Sequence, residues 1–141
     1  MGTVIWVNYL KAGQVTSDQS DKWAIYRFTD KLDRICSGIG IRNLSDFQDT
    51  TDAEANLAED IGTQEDAIDT YALMAEKGKW FEPDEGLAVI DRLLTELRER
   101  PVRFGLLGDK YSMVVAELEE CRQSVQKAED DGALFHLSVV T

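Results

Sequence analysis

The chain is poor in the residues on which most metal and thiol chemistry depends. Its 141 residues include one histidine, His136, and two cysteines, Cys36 and Cys121. These three side chains cannot supply the four ligands of a standard structural zinc site. The cysteines lie far apart, in stretches that have the pattern of helices, which favours packed, reduced thiols over a disulfide framework. We therefore expect neither a zinc site nor a disulfide scaffold.

Long hydrophobic runs are also absent. No apolar stretch approaches the ~20 residues that span a bilayer. The apolar run at residues 3–10 is short, is interrupted by Asn8 and is not preceded by a basic stretch, so it lacks the pattern of a signal peptide. With the isolated cysteines, this predicts a cytoplasmic protein. The length and the 43% hydrophobic composition predict one globular domain over residues 1–141.

Positive charge is nearly missing from the middle of the chain. The net charge is −12, and residues 46–85 hold 13 of the 27 acidic residues but only two of the 15 basic ones, Lys77 and Lys79. The rest of the chain is close to neutral. Proteins that bind a phosphate backbone or an anionic bilayer carry basic patches. This distribution therefore predicts no direct nucleic-acid binding and no membrane binding.

The order of the predicted elements indicates an α+β fold. Apolar and β-branched residues predict strands at residues 3–10, 15–16, 102–107 and 134–140. Start signals, stop signals and apolar periodicity predict helices at residues 20–37, 52–57, 67–77, 83–100 and from 109 to about 131. We expect a small, mostly antiparallel sheet that includes adjacent N- and C-terminal strands and packs against about four helices.

One helical stripe permits two interpretations. Its apolar residues recur at alternating spacings of four and three, but over too few heptads to predict a coiled coil. Packing into the core is the main interpretation, and a homodimer seam is the alternative, so the sequence predicts a monomer or a homodimer. The stripe consists of Val114, Leu118, Cys121, Val125 and Ala128.

The carboxylates of the middle segment do not match a known catalytic or metal-binding pattern. Those at positions 46, 49, 52 and 54 are ligands that Ca²⁺ and Mg²⁺ prefer, but their spacing does not fit a calcium-binding loop. Asp66 with Asp69, or Asp84 with Glu85, would be an acid and base only in a cleft that shifts one pKa. The last pair already suits the start of a helix. We predict no metal, no cofactor and no catalytic residue.

A cysteine nucleophile activated by the histidine is also not predicted by the sequence. A Cys–His pair needs its two side chains in hydrogen-bond reach of each other. Both cysteines lie in apolar helical stripes, and His136 alternates with apolar residues along the terminal strand. We expect His136 to be a strand histidine that is partly buried or at a sheet edge.

An interaction protein is the leading hypothesis for function. A concentrated acidic surface suits a basic protein partner, because complementary charge speeds association and rejects wrong partners. An inhibitor or immunity-type module that binds a basic protein through residues 46–85 would have this composition. The acidic stretch has an equally open interpretation as a solvated surface that only keeps the protein soluble. The alternative functions are a small carboxylate- or Mg-dependent enzyme and an ion- or ligand-sensing module. The predicted partner-binding residues are Asp46, Asp49, Asp52, Glu54, Asp66, Asp69, Trp80 and Phe81.

Overall fold

The fold centres on a four-stranded sheet that joins the two ends of the chain. The computed structural model describes residues 2–60 and 69–141, and its strands there are β1 (Val4–Lys11), β2 (Gln14–Ser17), β3 (Gln48–Asp49) and β4 (Leu134–Val140). Their order across the sheet is β2-β1-β4-β3. β1 pairs antiparallel with β2 and β4, and β3 pairs parallel with β4. The predicted sheet, with adjacent terminal strands, is confirmed.

Six α-helices accompany this sheet in the described ranges, so the α+β class is confirmed. They are α1 (Trp23–Arg27), α2 (Thr29–Gly38), α3 (Thr51–Asp60), α4 (Thr70–Lys77), α5 (Pro83–Glu99) and α6 (Tyr111–Asp131), and a 3-10 turn at Leu44–Phe47 precedes β3. None of these helices is long and apolar enough to cross a membrane.

The first predicted helix is two helices, and it begins later than its sequence indicates. Lys22 exchanges both backbone hydrogen bonds with Ile5 of β1, so the chain is still extended at the expected first turn. The helix then breaks at Phe28, between α1 and α2. The hydroxyl of Thr29 donates to the carbonyl oxygens of Ile25 and Tyr26, and such side-chain bonds compete with the regular helical ladder.

The predicted strand at residues 102–107 is wrong, because this segment is a loop. Phe104 is buried, but its backbone finds partners inside the loop and not in a neighbouring strand. Its N–H donates to the carboxylate of Asp109, and its carbonyl accepts from the N–H of Lys110. The same carboxylate accepts the N–H of Tyr111, the first residue of α6.

The apolar core lies between one face of the sheet and the helices α1, α2, α5 and α6. Val7 of β1 and Phe135 and Leu137 of β4 point into it. The apolar stripe of α6, from Val114 to Ala128, is buried within this single chain. Its role in core packing is therefore confirmed.

Strand alternation turns Asn8, His136 and Ser138 to the opposite face of the sheet. On this face Met74 of α4 accepts a hydrogen bond from Asn8, and the ring of Trp80 stacks on His136. α3 packs beside α4 and against β4. The two helices α3 and α4 thus form a separate layer on this second face.

Candidate functional site

The predicted acidic residues divide into buried and exposed ones. Asp49 is only 4% exposed, and its two oxygens accept the backbone N–H groups of Lys79 at 2.9 Å and Thr51 at 3.0 Å. It therefore ties β3 to the start of α3 and to the segment after α4. Asp46, in contrast, is exposed and lies 3.5 Å from Arg42 in an ion pair. Of the two, only Asp46 lies where a partner can reach it.

The acids on α3 and α4 lie nearer the surface. Glu54 is exposed and Asp52 is half-buried beside it on α3. Asp69 is exposed and caps α4, because its carboxylate accepts the N–H of Ala72 at 3.1 Å. Asp66 lies outside the described residues. The structure thus brings Asp52, Glu54 and Asp69 into one layer over the sheet.

The two predicted aromatic contacts face inward. Trp80 is half-buried, and its indole N–H donates to the carbonyl of Met74 at 2.9 Å while its ring stacks on His136. Phe81 exchanges both backbone hydrogen bonds with Phe135, at 2.9 and 3.0 Å. Both residues fix the segment after α4 to the sheet, and only their exposed edges are open to a partner.

Beneath this layer lies a buried polar cluster centred on His136. The ring is 0% exposed and lies on the inner strand β4, so the expected partly exposed or edge position is wrong. Its Nδ1 lies 2.8 Å from the carbonyl oxygen of Lys79, and a carbonyl only accepts, so Nδ1 carries a proton. Nε2 accepts from the amide of Asn8 at 3.1 Å. Burial lowers the pKa of His136, although the Asp49 carboxylate and the Lys79 carbonyl oppose this effect.

The cluster does not form a nucleophile and base. Ser138 and Asn8 each contribute a buried oxygen without a hydrogen-bond partner among the described residues. Nε2 of His136 lies 4.0 Å from the Asp49 carboxylate, and its acceptor role is taken by Asn8. A catalytic triad needs the histidine hydrogen-bonded to both the hydroxyl and the carboxylate. Within the cluster, Asn8 and His136 link the sheet to Met74 of α4 and to the backbone of Lys79.

The cysteines are separated from His136 by the sheet. Cys36 and Cys121 are fully buried among the apolar residues of the first face. Burial raises the pKa of both thiols, that of Cys121 to about 12. A thiol with a raised pKa is a poor nucleophile at neutral pH. A Cys–His pair does not form.

The described side chains form no evident metal centre, and the groove between α5 and α6 does not resemble a substrate pocket. Among them, no group of three or more His, Cys, Asp or Glu residues could hold a metal ion. The groove between α5 and α6 has a volume of about 470 Å³, but two ion pairs, Asp91–Arg122 and Arg98–Glu119, occupy its walls. A substrate pocket is usually apolar with a few convergent polar groups. This groove does not have that character.

Comparison with known proteins provides no relative. No family model, no curated protein and no solved structure matches the chain significantly. The function therefore has to be argued from the residues themselves.

The polar cluster has a sequence pattern from which it could be predicted. Asn8 interrupts the apolar run of β1, and His136 and Ser138 share one face of β4. In the antiparallel register Asn8 lies directly opposite His136. Because adjacent terminal strands were predicted, the same alternation could have placed these polar side chains together.

Proposed function

We propose that the protein is a non-catalytic interaction module that binds a basic protein through an acidic surface formed by α3 and α4. One observation carries the proposal: no lysine or arginine lies between Arg42 and Lys77, while Glu54, Asp69 and Glu76 are exposed within that stretch. An excess of charge of one sign on a surface attracts a partner of the opposite sign and repels like-charged competitors. An inhibitor or immunity-type protein that masks a basic partner belongs to this class.

The attachment of this surface to the sheet supports the proposal. Asp49 holds the start of α3, and the indole of Trp80 holds the end of α4. His136 binds the backbone carbonyl of Lys79, in the segment that follows α4. Because these contacts fix the backbone before binding, a partner loses less free energy in ordering the surface.

The test is affinity capture from a lysate of the source organism with two charge-matched variants. The surface variant carries Glu54→Gln, Asp69→Asn and Glu76→Gln, in which Asn at position 69 preserves the helix cap. The control variant neutralises three exposed acids of α6. These substitutions are Glu120→Gln, Glu129→Gln and Asp130→Asn. Asp49 is left unchanged because its carboxylate is structural.

We expect the wild type and the α6 variant to retain one basic protein that the surface variant loses. Its retention should weaken as salt is raised, because exposed charge pairs are screened. Identical capture profiles for the wild type and the surface variant would refute the proposal. Loss of the partner from both the surface variant and the α6 variant would also refute the proposal, because the net charge of the protein alone would then explain binding.

A further inference from the structure

A second exposed surface lies on the other side of the sheet, in the loop between α5 and α6. In this leucine loop, residues 102–110, Leu106 is 95% exposed and Leu107 is 99% exposed. Trp23 of α1 lies beside them and is 39% exposed. A single exposed apolar residue needs no explanation, but a contiguous apolar patch indicates an interaction site.

The leucine loop is held in one conformation by its own hydrogen bonds. Asp109 accepts the N–H groups of Phe104 and Tyr111, both at 3.0 Å. Phe104 is fully buried and anchors the loop to the core. Gly105 and Gly108 have φ angles of +98° and +106°, which side chains rarely permit. The leucines are therefore presented by an ordered backbone.

The leucines form one wall of a cavity of about 300 Å³. Trp23 and Phe28 also line it, and its charged lining residues are Arg27 and Lys110. Among the residues that the structure describes, no acidic side chain lines this cavity. It is thus apolar and basic, in a protein whose net charge is −12.

We propose that this cavity docks an acidic peptide segment of another protein that carries aliphatic side chains. Leu106, Leu107 and Trp23 would bury an aliphatic side chain, and Arg27 and Lys110 would pair with neighbouring carboxylates. The charge of the lining selects an acidic occupant. The negative charge of the whole protein opposes approach to an anionic bilayer, so the structure favours a peptide.

The test is selection of random 12-residue peptides displayed on phage. The library is first depleted on the variant Leu106→Ser with Leu107→Ser, and the remaining phage are selected on the wild type. This order removes peptides that bind elsewhere, including at the acidic surface. We expect the selected peptides to combine Asp or Glu with Leu, Ile or Val.

A selected peptide is then synthesised, and its affinity is measured by fluorescence anisotropy. The leucine variant and the variant Arg27→Gln with Lys110→Gln should each bind at least about tenfold more weakly, a loss of about 1.4 kcal/mol. Leu57→Ser removes an exposed leucine of α3 and should leave the affinity unchanged. The acidic-surface variant should also bind normally, so this result is independent of the proposed function.

Three results would overturn the proposal. Selection could return no loop-dependent peptide, or only basic or uncharged ones. Vesicles of phosphatidylcholine and phosphatidylserine could bind the wild type but not the leucine variant, which would assign the loop to a membrane surface. Sedimentation could show self-association that the leucine variant abolishes, which would assign it to a second copy of this chain.

Discussion

His136 and Trp80 stack with their ring centroids 3.9 Å apart and their planes 17° from parallel. The contact joins an inner strand of the sheet to the segment that follows α4. In the same segment, the carbonyl oxygen of Lys79 accepts a hydrogen bond from Nδ1–H of the histidine. The single histidine of the chain therefore helps to hold the acidic layer on the sheet, and it does so in its neutral form.

The neutrality of His136 predicts that stability falls in mild acid. Burial lowers its pKa in the folded state below 6.5. Below pH 6.5 the unfolded chain therefore binds more protons at His136 than the folded chain does. The contribution of the neutral histidine to the free energy of unfolding is full above that pH. It is lost as the pH falls toward the folded-state pKa. Urea unfolding of the wild type between about pH 5.5 and 7.5 should show this slope. The variant His136→Gln should be less stable than the wild type over this whole pH range, and its stability should not show the slope.

The comparison with the variant separates His136 from other titrating groups. Burial raises the pKa of Glu117, for example, but its contribution is shared by both proteins. Equal pH slopes would show that His136 titrates normally. In ¹⁵N spectra the one histidine should also show its proton on Nδ1 at neutral pH, and a proton on Nε2 would contradict the hydrogen-bond assignment.

The same substitution should cost more stability at Asp49 than at Asp46. Asp49→Asn places an amide N–H against one of two backbone N–H donors, and we expect a loss of about 1–3 kcal/mol in the free energy of unfolding. Asp46→Asn removes only an exposed ion pair with Arg42, which should cost below about 1 kcal/mol. Urea unfolding at neutral pH measures both values. Equal losses would mean that Asp49 is not a structural acceptor.

The sequence predicted the elements whose signals are local. Pro83 with the acids after it predicts the start of α5, and the structure places Pro83 first in that helix. Gly132 predicts the end of α6 and adopts the left-handed conformation there. The two terminal strands were predicted from β-branched and apolar residues, and both lie in the interior of the sheet.

The errors in the predicted fold arise where a residue's partner is distant or missing. The segment at 102–107 has strand propensity, but no strand in residues 2–60 or 69–141 pairs with it. The helix predicted from residue 20 begins late because Lys22 pairs with Ile5, 17 positions earlier in the chain. Tertiary context overrides local propensity in both segments: a distant partner holds Lys22 extended, and the segment at 102–107 lacks the partner that a strand needs.

The candidate site shows the same limit. Asp49 lies in the acidic run and looks like its neighbours, but it turns inward to bind the backbone of Lys79, 30 residues away. No local pattern distinguishes it from Asp46. Charge in a sequence thus predicts that an acidic surface exists, while the choice of exposed residues depends on the fold.

A buried ion pair provides a further prediction. Lys22 is fully buried, and its Nζ lies 3.3 Å from the carboxylate of Asp18 and 3.0 Å from the carbonyl of Ser20. Asp18→Asn removes the counter-charge and leaves the ammonium group in the core. We expect a loss of about 3–5 kcal/mol, because an unpaired buried charge is costly. Thermal or urea unfolding measures it.

The matched control removes the positive charge of Lys22 together with the negative charge of Asp18. Lys22→Met combined with Asp18→Asn leaves no ammonium group in the core, so the double variant should be more stable than Asp18→Asn alone. The free energies of the two single variants and the double variant form a cycle that isolates the pairwise interaction. Strictly additive losses would show that the two charges do not interact.

Gly86 is a position where the helix requires glycine despite its poor propensity. Alanine is better in a helix interior by about 1 kcal/mol. A Cβ at Gly86, however, would lie 2.3 Å from Cζ of Phe135, a fully buried ring that stacks on Phe47. Overpacking of this kind typically costs about 1–3 kcal/mol, so Gly86→Ala should be net destabilising in urea unfolding.

Gly38→Ala is the control, because a Cβ there meets no atom within 4 Å. If Gly86→Ala were as stable as Gly38→Ala, the Phe135 ring would have to move aside, and close helix–sheet contact would not be what selects glycine.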